Sequence, residues 1–416
     1  MSDPKQTIVV TSIGVISPYG LGMSALANAL IAGQGCIVPA DGFYEGFAGS
    51  VAPVRELPNI PDSASVHYSR TDRLAIAAAH DAVARLDANE KLLRESGVVM
   101  ASTVGGLCEL DPGIAENPTA WYHGTGLMRA ATYPVNRVAD SVGEQLGSNG
   151  PRCAVSVACA SGALSIALAA NLLLDGAAPL MFAGGSDALC PFTLSGFNSL
   201  RALDPNLCRP FDQARKGLNL GEAAAVLALE TLAHAQERGA PILAVLRGWA
   251  MSNDASHHTA PHKDGLGLAG CITTALLMAG VGPDQIGYVN AHGTGTPLND
   301  IAEMHAYELA FAARREPVPV SSTKSYTGHC LGAAGALEAG ITVAAIRNDV
   351  LFPTLRLSAH IESSRVNLLS GEVQRRPVPY AMSVSAGFGG SNAALVFSEY
   401  SPEGHEGVAG NGGEPA

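Results

Sequence analysis

The chain has 416 residues, 47% of them apolar and 15% charged, with a formal net charge of −12. That length exceeds one simple core and points to two domains or one duplicated domain. The composition excludes a disordered or fibrous protein, and the acidic balance argues against nucleic acid as the main partner. No apolar run reaches the length of a membrane span, so no membrane partner is expected. The opening MSDPKQTIVVTSIG lacks a signal-peptide layout, and the eight cysteines form no CxxC pair. Both features suggest a reducing, cytoplasmic setting, with no disulfide framework and no zinc site. Arg70, Arg73, Arg129 and Arg209 are candidates for a local basic patch, although solvated surface arginines are the simpler expectation.

The elements follow in chain order. QTIVVTSIGVISPYG predicts a strand and a turn, then a helix from Met23 to Ala32. Leu74, Ala77, Ala78 and Ala82 recur at helical spacing in an amphipathic segment. SGVVMAST and CAVSVAC read as strands, and the second runs into a helix over Ala160–Leu174. APLMFAGGSDA is a further strand. EAAAVLALETLAHAQERGA is strand then helix, with Gly239 as its stop. A second half opens at ILAVLRGWAMSND and contains the helical LGLAGCITTALLMAGV. IGYVNAHGTGTPLND is strand then loop, followed by a helix over Ile301–Ala312. VPVSSTKSYTGHCLGAAGALEAGITVAAIRN is strand, turn and long helix, and YAMSVSAGFGGSNAALVFSEY is two strands around a glycine turn. The boundaries expected are 1–243 and 244–400, with a disordered Gly- and Pro-rich tail over 401–416. Strands alternating with Ala-rich helices predict parallel sheets covered on both faces. The two strand–turn–helix segments around Cys159 and His329 share one plan, which suggests duplication.

Cys159 ends a β run and precedes a helix. A helix N-terminus carries partial positive charge, which favours the thiolate. The other cysteines, Cys271 among them, read as core residues. His292 sits at a strand end before a Gly/Thr loop, where Thr294 and Thr296 could bond a polar linker. Lys324 and His329 lie in the turn before an apolar helix. A lysine there needs a partner, and Glu338 is the candidate. The glycine turn around Phe388 can aim backbone N–H groups at a carbonyl oxygen. His257, His258 and His262 fit no zinc spacing and read as loop histidines, with His257 and Thr259 candidates to line a site. One cysteine, two histidines and a lysine suit acyl transfer through a thioester.

Five motifs occur in order: VACASGA, RPFDQARKG…GEAA, NAHGTGTPLNDIAE, SSTKSYTGHCLGAAGALE and GFGGSN. With them the chain resembles the elongating type II β-ketoacyl-[acyl-carrier-protein] synthases of the thiolase-like superfamily, from about Thr7 to Ser398. The resemblance implies an α/β thiolase-like fold of duplicated, layered halves. It implies decarboxylative Claisen condensation with malonyl-carrier protein, in fatty acid or specialised polyketide or polyene synthesis. Cys159 would accept the acyl group. His292 and His329 would assist decarboxylation, and Lys324 would organise the site with Glu338 in support. The N–H groups of Cys159 and Phe388 would form the oxyanion hole, and Thr294 and Thr296 would contact the phosphopantetheine arm. No metal and no cofactor of its own is implied, since the pantetheine arrives on the acyl carrier protein. The partner subunit would be a second copy or a related ketosynthase subunit.

The chain departs from the common family pattern at Ala386, where an aromatic is usual, and at Leu218, Asn219 and Ala223. The region FAGSVAPVRELPNIPDSASVHYSRTDR is also shorter and less basic than usual. These departures suggest a specialised synthase. A thiolase would need a second cysteine near the C-terminal turn, and SAGFGGSN has none. A non-elongating chain-length-factor subunit would lack the nucleophile. The active half of a heterodimer stays open as an alternative.

Overall fold

Ten consecutive buried residues, Ile8–Ser17 (β1), form a central strand of a twelve-stranded sheet. In the computed structural model, residues 3–40, 47, 49–62, 67–109 and 129–402 are described. The expected disordered tail lies outside them from residue 403 onward.

In the first half β1 is followed by Gly97–Ala101 (β2), Arg152–Val155 (β3), Leu180–Asp187 (β4) and Ala223–Thr231 (β5). In the second half the strands are Ala244–Asn253 (β6), Tyr288–Asn290 (β7), Val318–Ser321 (β8), Val366–Leu368 (β9), Tyr380–Gly387 (β10) and Ser391–Ser398 (β11). β1 and β6 pair antiparallel at the middle, with Ile8 opposite Leu246. From there outward the first half runs β1-β5-β4-β2-β3 and the second β6-β11-β10-β7-β8, with β9 added at the edge. The pairing senses also match. The two inner pairs are antiparallel and the next two parallel in each half. Two halves with one strand order are the structural form of a duplication.

The sheet is therefore mixed, which corrects the expectation of parallel sheets. β10 and β11 are joined by a short glycine turn, and such a link can make only an antiparallel pair. β4 and β5 are also antiparallel, but the long excursion 188–222 separates them. Periodicity shows where strands lie, not which way their connections return them.

Helices complete the layers. Arg70–Val83 (α1) and Arg137–Leu146 (α2) cover the outer face of the first half. Leu266–Ala279 (α4) covers β6 and β11, and Pro297–Ala310 (α5) packs on α4. Between the halves lie Ser161–Leu174 (α3) and Ala334–Asn348 (α6), which pack on each other and touch strands of both halves. Every residue from Ala334 to Ile346 is buried. A helix that is apolar all round can lie only in such a central layer. Small residues let the pair approach closely. A Cβ on Gly162 would stand 2.6 Å from the backbone nitrogen of Ala336, and one on Gly335 would stand 2.6 Å from that of Ala163. Gly335→Ala is thus expected to cost about 1–3 kcal/mol through overpacking. Urea unfolding checks this, and an unchanged midpoint would contradict the close approach.

The helix bounds shift slightly from those expected. The helix after His292 starts at Pro297 rather than Ile301, because proline suits the first helical turn.

Candidate active site

Cys159 lies on the turn from β3 into α3. Ala158 before it has φ +49, an uncommon value for a residue with a side chain. Ser161 holds this turn: its Oγ accepts from the Val157 N–H at 2.7 Å and donates to the Ala158 carbonyl at 2.5 Å. The thiol receives the Phe388 N–H, and burial pushes its pKa up to about 12, opposed by the Lys324 charge. The expected thiolate is therefore not the resting form. A helix terminus favours the anion, but loss of water outweighs it here. Alkylation of Cys159 by iodoacetamide should then rise about tenfold per pH unit between pH 7 and 9, since the thiolate is the nucleophile. A plateau below pH 8, read by intact mass, would contradict a buried neutral thiol.

The glycine turn reaches the same point from β10. Gly387 passes close beside it, since a Cβ there would sit 3.1 Å from the Cys159 backbone nitrogen, a tight contact. The ring of Phe388 stacks on Phe197 at 5.5 Å between centroids.

His292 follows β7, and His329 precedes α6. Their rings meet edge to face with centroids 5.2 Å apart. One ligand-type atom from each of Cys159, His292 and His329 lies within 4.8 Å of the other two. The neighbours of each ring set its proton. The Leu331 N–H donates to His329 Nδ1 at 3.2 Å, so the proton sits on Nε2, which is buried and unpartnered. Lys324 Nζ lies 3.2 Å from His292 Nδ1 and donates to it, which places that proton on Nε2 as well. Burial, with the Lys324 charge beside them, holds both imidazoles well below the ordinary histidine range, so both are neutral. Two N–H donors beside an ammonium suit a developing oxyanion. A metal ion would need lone pairs that these tautomers do not offer.

Lys324 spends its other two protons on the His292 carbonyl and on Glu338 Oε1, each at 2.5 Å. The expected Lys324–Glu338 pair is thus present and fully buried. Desolvation raises the Glu338 carboxyl to about 7 despite the lysine.

Thr294 and Thr296 share a hydrogen bond of 2.9 Å between their hydroxyls and line a cavity of about 440 Å³. Cys159, His292, His329, Phe388, Leu218, Ala386, His257 and Thr259 line it too. His257 Nδ1 accepts from the N–H groups of Thr259 and Ala260, which leaves Nε2–H free to donate. His262 instead donates its backbone N–H to Asp254. Arg70 is no free surface charge: it grips buried Glu222 through two nitrogens, and Arg73 pairs with Asp62.

Several supporting residues were missed in the sequence. Glu303 on α5 accepts the N–H groups of His292 and Gly293, both at 2.7 Å. Asp187 at the end of β4 accepts from Ser102, Thr103, Val104 and Gly332, fixing the loop beyond His329. Asp300, Glu303 and Tyr307 fall on one helical face and all are buried, a signal that could have been read.

Residues 5–235 match the beta-ketoacyl synthase N-terminal domain and residues 243–358 its C-terminal domain. The chain belongs to the β-ketoacyl synthase family. It is 36% identical to 3-oxoacyl-[acyl-carrier-protein] synthase 2 of Vibrio cholerae over 413 residues, covering 94% of this chain and 99% of that one. The solved ishigamide ketosynthase/chain length factor is 30% identical, with a TM-score of 0.87 over 95% of this chain and 99% of its own. A second solved structure, a type II polyketide synthase acyl-carrier protein in complex with its ketosynthase bound to the hexaketide (AntDE:AntF), is 27% identical. Its TM-score is 0.85, covering 95% of this chain and 99% of that chain. The fold is accordingly the thiolase-like fold of the ketosynthases. In this β-ketoacyl synthase chain the departure at Asn219 has a structural consequence. Its amide bridges the Asp204 and Asn206 carbonyls and the Cys208 N–H, while its own carbonyl accepts the His329 N–H at 2.8 Å.

Proposed function

We propose that this chain is a condensing acyltransferase that joins an acyl thioester to malonyl-carrier protein. The observation that carries the reading is that one ligand-type atom each of Cys159, His292 and His329 lies within 4.8 Å of the other two, with the Phe388 N–H on the thiol; in this reading the Nε2–H groups of the histidines and the backbone N–H groups of Cys159 and Phe388 are the donors. Cys159 Sγ attacks the incoming thioester carbonyl, and its proton leaves with the departing carrier thiol. The two backbone donors hold the oxyanion of that step. Malonyl-carrier protein then loses CO2, and the two neutral imidazoles hold the enolate oxygen without protonating its carbon. The carbanion attacks the acyl-Cys159 carbonyl and expels the cysteine sulfur. The product is two carbons longer.

The prosthetic pantetheine belongs to the carrier, and Thr294 and Thr296 are placed to bond its amides. Residues 1–243 and 244–400 are read as the two ketosynthase halves. Among the described residues no helix is long and apolar enough to cross a membrane, and a cytoplasmic setting is retained as part of this reading. A dimer is supported by the edge strand β3, whose outer edge pairs with no described strand. Cys153, Val155, Leu168 and Leu172 there and on α3 are only partly buried. Such an edge calls for cover. The cover is a second copy or a related subunit, and the ketosynthase/chain length factor neighbour favours keeping the heterodimer as the second reading. Ala386 and Leu218 on the cavity wall support a specialised substrate.

The test incubates the chain with acyl-carrier and malonyl-carrier proteins and seeks a β-ketoacyl product two carbons longer. Acylation without extension, even beside a related subunit, would overturn the condensing role.

A further inference from the structure

His329 is held by its main chain as well as by its ring. Its N–H donates to the Asn219 carbonyl at 2.8 Å, and its carbonyl accepts the Gly221 N–H at 3.0 Å. Gly328, at φ +67, lets the two segments meet, since a Cβ there would stand 3.0 Å from the Leu220 carbonyl oxygen. Both main-chain hydrogen-bonding groups of His329 thus end on segment 218–221, and a shift of that segment carries the ring with it.

The same segment is anchored on its other side to residues 202–208. The Leu218 N–H donates to the Ala202 carbonyl at 2.9 Å, and the Asp204 N–H donates to the Leu218 carbonyl at 2.8 Å. The Asn219 side chain then extends the connection. Its Oδ1 accepts the Cys208 N–H at 2.7 Å, and its Nδ2 donates to the Asp204 and Asn206 carbonyls at 3.2 and 2.9 Å. Asn219 is 1% exposed and is not among the residues lining the cavity. Its whole amide is committed to one loop.

Cys208 carries the link onward. Its thiol donates to the Lys324 carbonyl at 3.6 Å. Arg356 donates to the Cys208 carbonyl at 2.9 Å and also to the Ser325 carbonyl, which ties the loop to the turn that bears Lys324. Arg356 holds φ +61 to do so, a conformation that costs energy for a residue with a side chain. Asn219 therefore stands between two parts of the catalytic set. It reaches His329 through its own carbonyl and the Lys324 turn through Cys208.

On the proposed function, which this inference rests on, His329 donates to the enolate and Lys324 fixes the His292 proton. We propose that Asn219 is a positioning residue for the malonyl half-reaction: its carboxamide locks loop 204–208 to segment 218–221 and so keeps the His329 Nε2–H and the Lys324 turn in register. Acylation of Cys159 does not draw on this link.

The experiment measures two half-reactions with one carrier protein: malonyl decarboxylation, and acylation of Cys159 read by intact mass. Rates are taken at a temperature where near-UV circular dichroism shows each variant folded. Asn219→Leu removes all three side-chain bonds at similar volume. Its decarboxylation kcat should fall about tenfold or more, since a small misplacement of a donor suffices for such a loss. Its acylation rate should stay within about threefold of wild type. Asn219→Asp tests the bonding itself. Its carboxyl still accepts the Cys208 N–H, and when protonated it donates to one of the two carbonyls. When ionised it turns a negative charge on both. Its decarboxylation rate relative to wild type should therefore fall about threefold or more between about pH 6 and 8, with no such fall for Asn219→Leu. Equal losses in both half-reactions of Asn219→Leu make Asn219 a purely structural residue and overturn the proposal. A lowered urea midpoint with decarboxylation intact does the same, as does a pH-independent ratio for Asn219→Asp. A wild-type chain that neither takes up an acyl group at Cys159 nor releases CO2 from malonyl-carrier protein overturns the proposed function instead.

Discussion

Lys324→Met is expected to lower condensation by on the order of 10³-fold or more, because it removes the donor that fixes the His292 tautomer. Without the ammonium, Nδ1 of His292 can carry the proton, and Nε2 then presents a lone pair to the enolate oxygen. The same substitution leaves Glu338 buried and unpaired, with a stability cost of about 3–5 kcal/mol. The two effects separate in the double variant Lys324→Met with Glu338→Leu. Apolar replacement of both partners restores most of the stability, since the buried pair itself contributes little net. It does not restore the rate. Recovery of condensation along with stability would show that Lys324 acts only as a structural ion-pair partner. The measurement is kcat for malonyl decarboxylation beside a urea titration of each variant.

Removing either imidazole should produce the second large effect. His292→Ala and His329→Ala are each expected to lower malonyl decarboxylation by about 10²–10³-fold, the usual loss for one oxyanion donor. Acylation of Cys159 should change much less, because on the proposed roles its oxyanion rests on the Cys159 and Phe388 N–H groups. Equal losses in both half-reactions would contradict this division. The pH response follows from burial. Both imidazoles are held well below the ordinary histidine range, so each binds its proton more weakly folded than unfolded. The two imidazoles therefore add no change to the wild-type decarboxylation rate from pH 8 down through 6.5 and lower it only in more acid solution, so a change near pH 7 reports Glu338, which is raised to about 7. Below pH 6.5 the unfolded chain takes up protons that the folded histidines refuse, so these two residues also withdraw stability as the pH falls.

Much of this site was legible from local pattern. Cys159 stood at a strand-to-helix junction among small residues, and the structure puts it on a strained turn there. Lys324 had to find a partner because its helix was apolar, and Glu338 was the available acid. These inferences needed only neighbours along the chain. The misses needed distance. Glu303 acts by accepting N–H groups eleven and ten residues upstream, and Asp187 by gathering donors from two remote loops. The backbone N–H groups among these partners carry no residue-type signal. The thiolate expectation failed for a related reason. A helix start is visible in the sequence, but the depth at which Cys159 is buried depends on α6, β10 and the glycine turn together. Strand direction was hidden in the same way, since β4 and β5 are joined through 35 intervening residues, from 188 to 222.

The central claim is that Cys159 carries the acyl group. Its most direct test is intact-protein mass after mixing the chain with acyl-carrier proteins of varied length and unsaturation, beside Cys159→Ala. The account predicts a gain of one acyl group in the wild-type chain and none in the variant, with the best donor revealing the acyl class. A gain that persists in Cys159→Ala, or no gain with any donor, would contradict it.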